Sequence, residues 1–235
     1  MAESNEKVLR AQLANATRMM VMADLMDYSG HLSARVPGTD RVLIQPRDSS
    51  RAFLTPDEIL VMDVSGKLLE GTIPAPAEVV IHLGIYRARK DVFAIAHAHP
   101  PYSIMFTMTE QPLTAMRHYG YRFVNMPTHM DTTHIKSDQQ GAEIAQTLGN
   151  GRYMMLRSHG SVVVGDTIPQ IFLDSLEMEE NAKAAVQAAA LGKLKPITTE
   201  EAKILGPSFD ANTYRTNKIW GHYMEKAKLA GIPLF

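Results

Sequence analysis

The chain has 235 residues, of which 45% are hydrophobic, and its formal net charge at pH 7 is −1. That length suits a single domain over residues 1–235, and the interspersed charges provide no basic stripe for nucleic acid. Because the sequence contains no cysteine, disulfides are excluded and any metal must be held by histidines and carboxylates. No apolar run reaches the roughly 18 residues of a membrane helix, and the polar N-terminus is unlike a signal peptide, which favours a cytoplasmic protein.

The first predicted element is an amphipathic helix at the N-terminus. Its apolar side chains, from Leu9 to Ala23, recur at helical spacing, and Gly30 marks its predicted end. Two following segments, RVLIQP and EILVMDVSGK, are rich in β-branched residues and are bounded by turn residues, which predicts strands.

A second helix is predicted from Pro76 to Arg89, because proline is tolerated in a first helical turn. This helix places Glu78 in its first turn and His82 one turn later on the same face. The next segment, VFAIAHAH, is a predicted strand, and PYSIMFTMTE is a predicted short helix after it.

The second half of the chain is predicted to mix helices and strands. A helix over GAEIAQTLGN is followed by the strands RYMMLRSHG and SVVVGD, which meet at His159. Asp166 or Thr167 then caps a long helix that runs to about Gly192. Residues 110–135 lack a clear pattern and are interpreted as a functional loop. TTEEAKIL has a capping-box pattern, and the aromatic residues of a last helix are Tyr214, Trp220 and Tyr223.

Three histidines form a pattern typical of a metal site. His97 and His99 lie two residues apart on a predicted strand, so both imidazoles face the same side. A third histidine from elsewhere in the chain, for which His159 is a candidate, would complete three nitrogen ligands with open positions, the arrangement of a catalytic metal rather than a closed structural one. The alternative is that these are hydrogen-bonded histidines in a strand and a turn.

Four stretches resemble the class II aldolase/adducin family: SGHLSARVPG, LTPDEILVMDVSGKLLEG, AEVVIHLGIYRARKDVFAIAHAHP and LRSHGSVVVGDTIPQIFLDSLEMEENAKAA. They span roughly residues 9 to 192, in the order and at the spacing of the family. The resemblance implies an α/β fold with three layers, α/β/α, around a central, largely antiparallel sheet. It also implies a homotetramer with active sites between subunits.

The same resemblance implies roles for individual residues. His97, His99 and His159 would hold one divalent metal ion, zinc or manganese, and Glu78 would be the acid/base at the metal. Iron and cobalt are also compatible with nitrogen ligands.

Two departures from the family's sugar-phosphate aldolases bear on the substrate. Those enzymes bind phosphate with a Gly-Asn turn and a Ser-Ser pair just before the glutamate. Here the turn is Gly30-His31, and the pair is Pro76-Ala77. A phosphate dianion needs several hydrogen-bond donors, so we expect a substrate without phosphate.

The Gly-His-x-Ser form of that turn resembles the decarboxylating branch, whose members act on hydroxylated aromatic dicarboxylic acids such as dihydroxyphthalate. This implies that His31 and Ser33 contact the substrate and that His31 is a second candidate proton donor beside Glu78. Arg47 and Arg157 are predicted to bind a substrate carboxylate, as a planar guanidinium does. The alternative for each arginine is a solvated surface charge.

The predicted chemistry is carbon–carbon bond cleavage. Breaking that bond leaves a carbanion that must be delocalised onto oxygen, and a divalent metal acts as the Lewis acid that stabilises the resulting enolate or phenolate. If Glu78 donates the proton, we expect burial beside Val79 and Val80 to raise its pKa.

Two other functions compete with the decarboxylase. One is an aldolase that acts on an unphosphorylated hydroxy-keto acid or hydroxy-aldehyde. The family's aldolases take a proton from a neighbouring subunit's tyrosine, but the matching stretch here offers His129 and His134, and Tyr119 and Tyr121 are out of register. The other is a non-catalytic, adducin-like assembly module, which is disfavoured because such a module is expected to lose the metal histidines.

Overall fold

The computed structural model describes the backbone of residues 2–4 and all atoms of residues 5–209 and 213–235. One sheet is built from β1 (His31–Arg35), β2 (Arg41–Ile44), β3 (Leu60–Asp63), β4 (Leu68–Glu70), β5 (Ala94–Ala98), β6 (Thr128–His129), β7 (Tyr153–Leu156) and β8 (Gly160–Gly165). The strand order is β4-β3-β2-β1-β5-β8-β7-β6. Neighbouring strands are antiparallel except β6 and β7, which are parallel, so the prediction of a central, largely antiparallel sheet is confirmed.

Helices cover both faces of this sheet. They are α1 (Ala2–Met22), α2 (Val79–Ala88), α3 (Pro101–Met105), α4 (Asp138–Leu148), α5 (Ile168–Ala189), α6 (Thr199–Phe209) and α7 (Thr213–Leu229). The α2 and α4 helices pack together on one face, whereas α1, α5 and α7 cover the other. The predicted three-layer α/β/α arrangement is therefore confirmed.

The central strand β5 is buried on both sides, and its alternation separates two cores. Ala94, Ala96 and Ala98 pack into the core beneath α1 and α5. Ile95 points the other way, into the core beneath α2 and α4. Since side chains two apart on a strand share a face, His97 lies on the α2 side of the sheet.

A close contact between two helices fixes the position of α2. A Cβ atom added to Gly84 of α2 would lie 2.2 Å from the carbonyl oxygen of Gly141 in α4. Only glycine allows backbones to approach this closely. This contact therefore holds α2, and the side chains that it directs toward the sheet, at a defined height above β1 and β5.

Several predicted boundaries differ from the observed ones. The α1 helix ends at Met22 rather than near Gly30, and the sequence patterns did not predict the strand β1. Residues 31–35 do alternate between polar and apolar side chains, the pattern of a strand, but nearly all of them are buried because α2 covers the polar face. Thr167 is the residue that caps α5, which ends at Ala189. None of the helices within the described ranges has the length and apolar character needed to cross a membrane.

Candidate active site

Four histidines meet at one end of the sheet. His31 of β1 is paired in register with His97 of β5, His99 follows β5 directly, and His159 immediately precedes β8. The ring centroid of His97 lies 5.0 Å from each of the other three rings. The strand pairing thus brings together the three predicted metal ligands and the predicted substrate contact His31.

The His159 turn is held by its neighbour. Ser158 has a positive φ of 55°, an uncommon conformation for a residue other than glycine. Its backbone N–H donates to the Thr107 hydroxyl at 2.9 Å, which ties the turn to the segment after α3. This left-handed residue turns the chain so that His159 faces His97.

The Nδ1 atoms of His97 and His99 both have partners on the side away from the cluster. The His97 Nδ1 lies 3.0 Å from the Ser161 carbonyl oxygen, and the His99 Nδ1 lies 3.1 Å from the Ser29 hydroxyl and 3.5 Å from Asp27 Oδ1. Because a carbonyl can only accept, the His97 Nδ1 carries the proton and its Nε2 presents a lone pair. Burial, followed by His97 and His159, lowers the pKa of His99 to about 4, so this imidazole is uncharged at neutral pH.

Glu78 occupies the N-cap position of α2 and faces the same cluster. Its Oε2 atom lies 3.4 Å from His97 Nε2 and 3.5 Å from His159 Nε2. The buried Oε1 atom has no hydrogen-bond partner among the described residues. Burial acts to raise the pKa of Glu78, but the hydrogen bonds and charges that His159 and His97 supply in their protonated forms outweigh it and lower that pKa well below its usual range. The prediction of a raised pKa is therefore wrong.

These residues fit a divalent metal ion. Ligand atoms of His97, His99 and His159 all lie within 4.8 Å of one another, and the Nε2 atoms of His97 and His99 are 3.3 Å apart. Tetrahedral zinc with Zn–N bonds of about 2.0–2.1 Å places its ligand nitrogens about 3.3 Å apart. The unpartnered Glu78 oxygen lies beside this donor set, as expected of a group that acts on a ligand rather than on the protein.

His31 and Ser33 contact α2 rather than each other. The His31 Nδ1 is 2.7 Å from His82 Nε2, and the Ser33 hydroxyl is 2.6 Å from His82 Nδ1 and 2.8 Å from the Tyr86 hydroxyl. Ser33 is fully buried, with 0% of its surface exposed. Both of its hydrogen bonds are internal and α2 covers it, so the structure does not bring the Ser33 hydroxyl out to the position that the expected substrate contact requires.

Tyr86 is a component of this region that the sequence analysis missed. Glu78, His82 and Tyr86 follow one another at intervals of four residues, which places all three on one helical face. Glu78 and His82 were predicted to share a helical face, and the same spacing of four residues identifies Tyr86 as the next residue on it.

The two predicted substrate-binding arginines both lie at the surface. The Arg157 side chain is exposed and forms no ion pair with any residue that the structure describes. Arg47 is also exposed, and its guanidinium is paired with the adjacent Asp48 at 2.9 Å. Arg157, which is two residues from His159, thus has a guanidinium available to a ligand, whereas Arg47 is already engaged.

A third arginine, not predicted, is buried behind the site. The Arg51 guanidinium donates to the carbonyl oxygens of Gly30, Pro46, Arg47 and Ser49 at 2.6–3.1 Å. Burial lowers its pKa, and Asp48 and Asp27 partly offset that effect. The side chain fastens the Arg47 loop to the residue before His31, and no sequence motif reveals a role built on backbone carbonyls.

The other residues considered from sequence lie outside this cluster. The hydroxyls of Tyr119 and Tyr121 bond to a carboxylate and a carbonyl of their own chain. His129 contacts the hydroxyl of Thr147 at 3.3 Å, and His134 is exposed. The structure brings none of these four side chains into contact with His97 or Glu78 among the described residues.

Comparison with known proteins identifies the family. Residues 11–186 match the family model described as Class II Aldolase and Adducin N-terminal domain. The chain belongs to the class II aldolase/adducin family. Class II aldolases depend on divalent metals, and the histidine group of this member could hold one.

Two curated relatives and one solved structure illustrate the range of this family. The chain is 27% identical over 240 residues to the 3,4-dihydroxyphthalate decarboxylase of Arthrobacter keyseri, covering 94% of both chains. It is 28% identical over 144 residues to the L-fuculose phosphate aldolase of Methanococcus vannielii, covering 60% of this chain and 76% of the relative. An aldolase II superfamily protein from Pseudomonas syringae superposes with a TM-score of 0.85 at 22% identity, covering 97% of this chain and 95% of that structure, which supports the fold.

Proposed function

We propose that this family member is a divalent-metal-dependent decarboxylase of a hydroxylated aromatic dicarboxylic acid, such as dihydroxyphthalate. The observation that carries the proposal is the convergence of three imidazole groups beside the unpartnered Glu78 oxygen, with His31 next to them. The broader prediction, that the chain is a carbon–carbon lyase, is confirmed by relatives that are decarboxylases and aldolases.

His97, His99 and His159 would hold the metal ion. When bound, the ion supplies a Lewis acid that stabilises negative charge developing on a substrate oxygen. Zinc and manganese are our first candidates, and iron and cobalt also suit nitrogen ligands. The hydrogen bond to the His97 Nδ1 keeps this ring in the orientation and tautomer that present Nε2 to the site.

Glu78 would move the proton of the reaction. Its carboxylate takes the proton of the hydroxyl beside the leaving carboxylate, and the same group returns that proton to the ring carbon. A π-electron pair of the ring, supplied from the ionised hydroxyl, forms the new carbon–hydrogen bond at the carbon that bears the leaving carboxylate. The electron pair of the broken carbon–carbon bond then restores the aromatic ring as CO2 departs and leaves the negative charge on the oxygen. The products are CO2 and the phenolate of the shortened acid, so atoms and charge balance.

The second carboxylate of the substrate would stay bound to Arg157. This guanidinium is exposed and unpaired among the described residues, and its planar fork suits bidentate carboxylate binding. Arg47 would contribute only after exchanging its contact with Asp48. The residues before Glu78 are Pro76 and Ala77, and their side chains carry no donor for phosphate.

We also infer a homotetramer with active sites between subunits, from the family resemblance. Light scattering should then give a mass four times that of the 26.0 kDa chain. A monomer with full activity at micromolar concentration would contradict this inference and leave the metal site unaffected.

The experiment that tests the function distinguishes a decarboxylase from an aldolase. Metal-loaded protein is incubated with 3,4-dihydroxyphthalate, with phthalate as a control without hydroxyls, and CO2 release is recorded. Release from the hydroxylated acid alone supports the proposal. If neither acid releases CO2 but pyruvate or glycolaldehyde condenses with an acceptor aldehyde, the protein is the competing aldolase for unphosphorylated substrates.

A further inference from the structure

A chain of buried hydrogen bonds runs from the site into the core. It begins at His31, passes through His82 and Ser33, and reaches Tyr86, with contacts of 2.7, 2.6 and 2.8 Å. The Tyr86 hydroxyl then donates to the Phe93 carbonyl oxygen at 3.3 Å. His31 is 4% exposed and the next three side chains are 0% exposed, so water does not complete these contacts.

The end of this chain fixes its direction. A carbonyl oxygen has lone pairs and no proton, so the contact between Tyr86 and Phe93 is a hydrogen bond only if Tyr86 donates. Ser33 must then donate to Tyr86, since the single Tyr86 proton is already used. His82 in turn donates from Nδ1 to Ser33 and accepts at Nε2. In the reverse direction Tyr86 would donate to Ser33, and its 3.3 Å contact with the Phe93 carbonyl oxygen, which also accepts the Arg35 N–H at 2.8 Å, would not be a hydrogen bond.

From this direction we infer that neutral His31 carries its proton on Nδ1 and presents the Nε2 lone pair to the active site, where it accepts a hydrogen bond from a substrate hydroxyl. His31 thus becomes a specificity-determining acceptor, in place of the proton donor expected from the sequence. His82, Ser33 and Tyr86 are positioning residues that act through His31.

The surroundings of His31 agree with a neutral ring. No carboxylate forms an ion pair with His31 among the described residues, and its ring lies 4.8 Å from that of His82 and 5.0 Å from that of His97. The neighbouring His97 has the same arrangement, with Nδ1 on a carbonyl and Nε2 toward the cluster. The adjacent strands β5 and β1 therefore present the Nε2 lone pairs of His97 and His31 to one space. The His97 lone pair would bind the metal ion, and the His31 lone pair needs a hydrogen-bond donor from the ligand.

The ligand class follows from this requirement and rests on the proposed function. An aromatic acid that has one hydroxyl beside its carboxylate and a second hydroxyl next to the first offers a separate donor for His31. Suitable probes are 2,3-dihydroxybenzoate, 3-amino-2-hydroxybenzoate and 2-hydroxy-3-methoxybenzoate, which differ only at that second position. We expect the hydroxyl and amino probes to bind about tenfold more tightly than the methoxy probe, whose oxygen lacks a proton. His31→Leu should remove this difference.

A spectroscopic measurement tests the tautomer independently of any activity. Protein with ¹⁵N-labelled histidine, free of ligand, gives two-bond proton–nitrogen signals that identify the protonated ring nitrogen, and His31→Gln assigns the His31 signals. We expect His31 protonated on Nδ1. In Tyr86→Phe the chain ends at Ser33, which becomes free to donate toward His82, so we expect an Nε2-protonated population of His31 and a weaker preference for donor probes. Tyr214→Phe, at an exposed tyrosine of α7, is the matched control.

The outcomes separate this inference from the proposed function. His31 protonated on Nε2 in the unmodified protein would overturn the inference even if CO2 is released. A Tyr86→Phe variant that keeps its fold, its metal content and the original His31 signals would overturn the directional argument. An Nδ1-protonated His31 in a protein that releases no CO2 would uphold the inference and refute only the decarboxylase.

Discussion

Replacing Gly160 by alanine tests whether backbone packing sets the geometry of the metal ligands. A Cβ atom there would lie 2.5 Å from the Ala98 carbonyl oxygen, 2.9 Å from His99 Cδ2 and 3.2 Å from His97 Cε1. Restoring an ordinary contact with the carbonyl requires a shift of about 0.7 Å or more. Metal–ligand distances tolerate deviations of only about 0.2 Å. A displacement of His97 and His99 by the larger shift would therefore take their nitrogen atoms out of bonding distance of a shared metal ion.

The expected result has two parts. Overpacking of this kind lowers the free energy of unfolding of the metal-free protein by about 1–3 kcal/mol. Disturbed ligand orientation lowers the metal affinity by about 10–100-fold. Urea denaturation after chelator treatment measures the first effect, and a competition titration with a zinc indicator measures the second.

Gly221→Ala is the control for this experiment. Gly221 lies in α7, and a Cβ there meets nothing within 4 Å, so alanine should stabilise the helix by about 0.5–1 kcal/mol. Metal affinity should stay unchanged in this variant. If Gly160→Ala binds zinc as tightly as the unmodified protein and is equally stable, the packing argument for this strand end is refuted.

Three further predictions concern His82, Arg51 and Arg157. Burial, followed by the charge of His97, lowers the pKa of His82 to about 3, so its contribution to stability is complete above pH 6.5 and is lost as the pH falls toward 3. Urea denaturation of the metal-free protein at pH 6 and 5 should therefore show that the free energy of unfolding falls by about 1.4 kcal/mol less per pH unit in His82→Leu than in the unmodified protein. Equal slopes in the two proteins would contradict the assignment. Arg51→Met should lower the free energy of unfolding by about 3 kcal/mol because buried carbonyls lose a charged donor, whereas Arg47→Met should leave the denaturation midpoint unchanged. Arg157→Ala should raise KM about tenfold or more with little change in kcat, and Arg157→Lys should recover part of the loss; equal KM values in all three proteins would exclude the carboxylate role.

The central part of the site was predictable because its geometry is local. A spacing of two on a strand places His97 and His99 on one face, and this requires no knowledge of the rest of the fold. Glu78 and His159 were found through the family resemblance, since neither spacing nor composition connects them to β5. The three-layer fold was likewise implied by the resemblance and not by the helix and strand patterns alone.

The remainder depended on contacts between distant segments. The sign of the Glu78 pKa shift is set by His97 and His159, whose distances only the folded chain defines. Ser33 was predicted to contact the substrate, but its side chain on β1 is buried under α2. Arg51 binds four carbonyls that no pattern of side chains reveals.

The most direct test of the central claim is CO2 release from 3,4-dihydroxyphthalate, followed while zinc or manganese is added stepwise to chelator-stripped protein. The proposed mechanism predicts no release before addition, a rise with each increment, and a plateau near about one metal ion per chain, with His97→Ala inactive throughout. Release that is independent of metal, or no release from fully loaded protein, would contradict it.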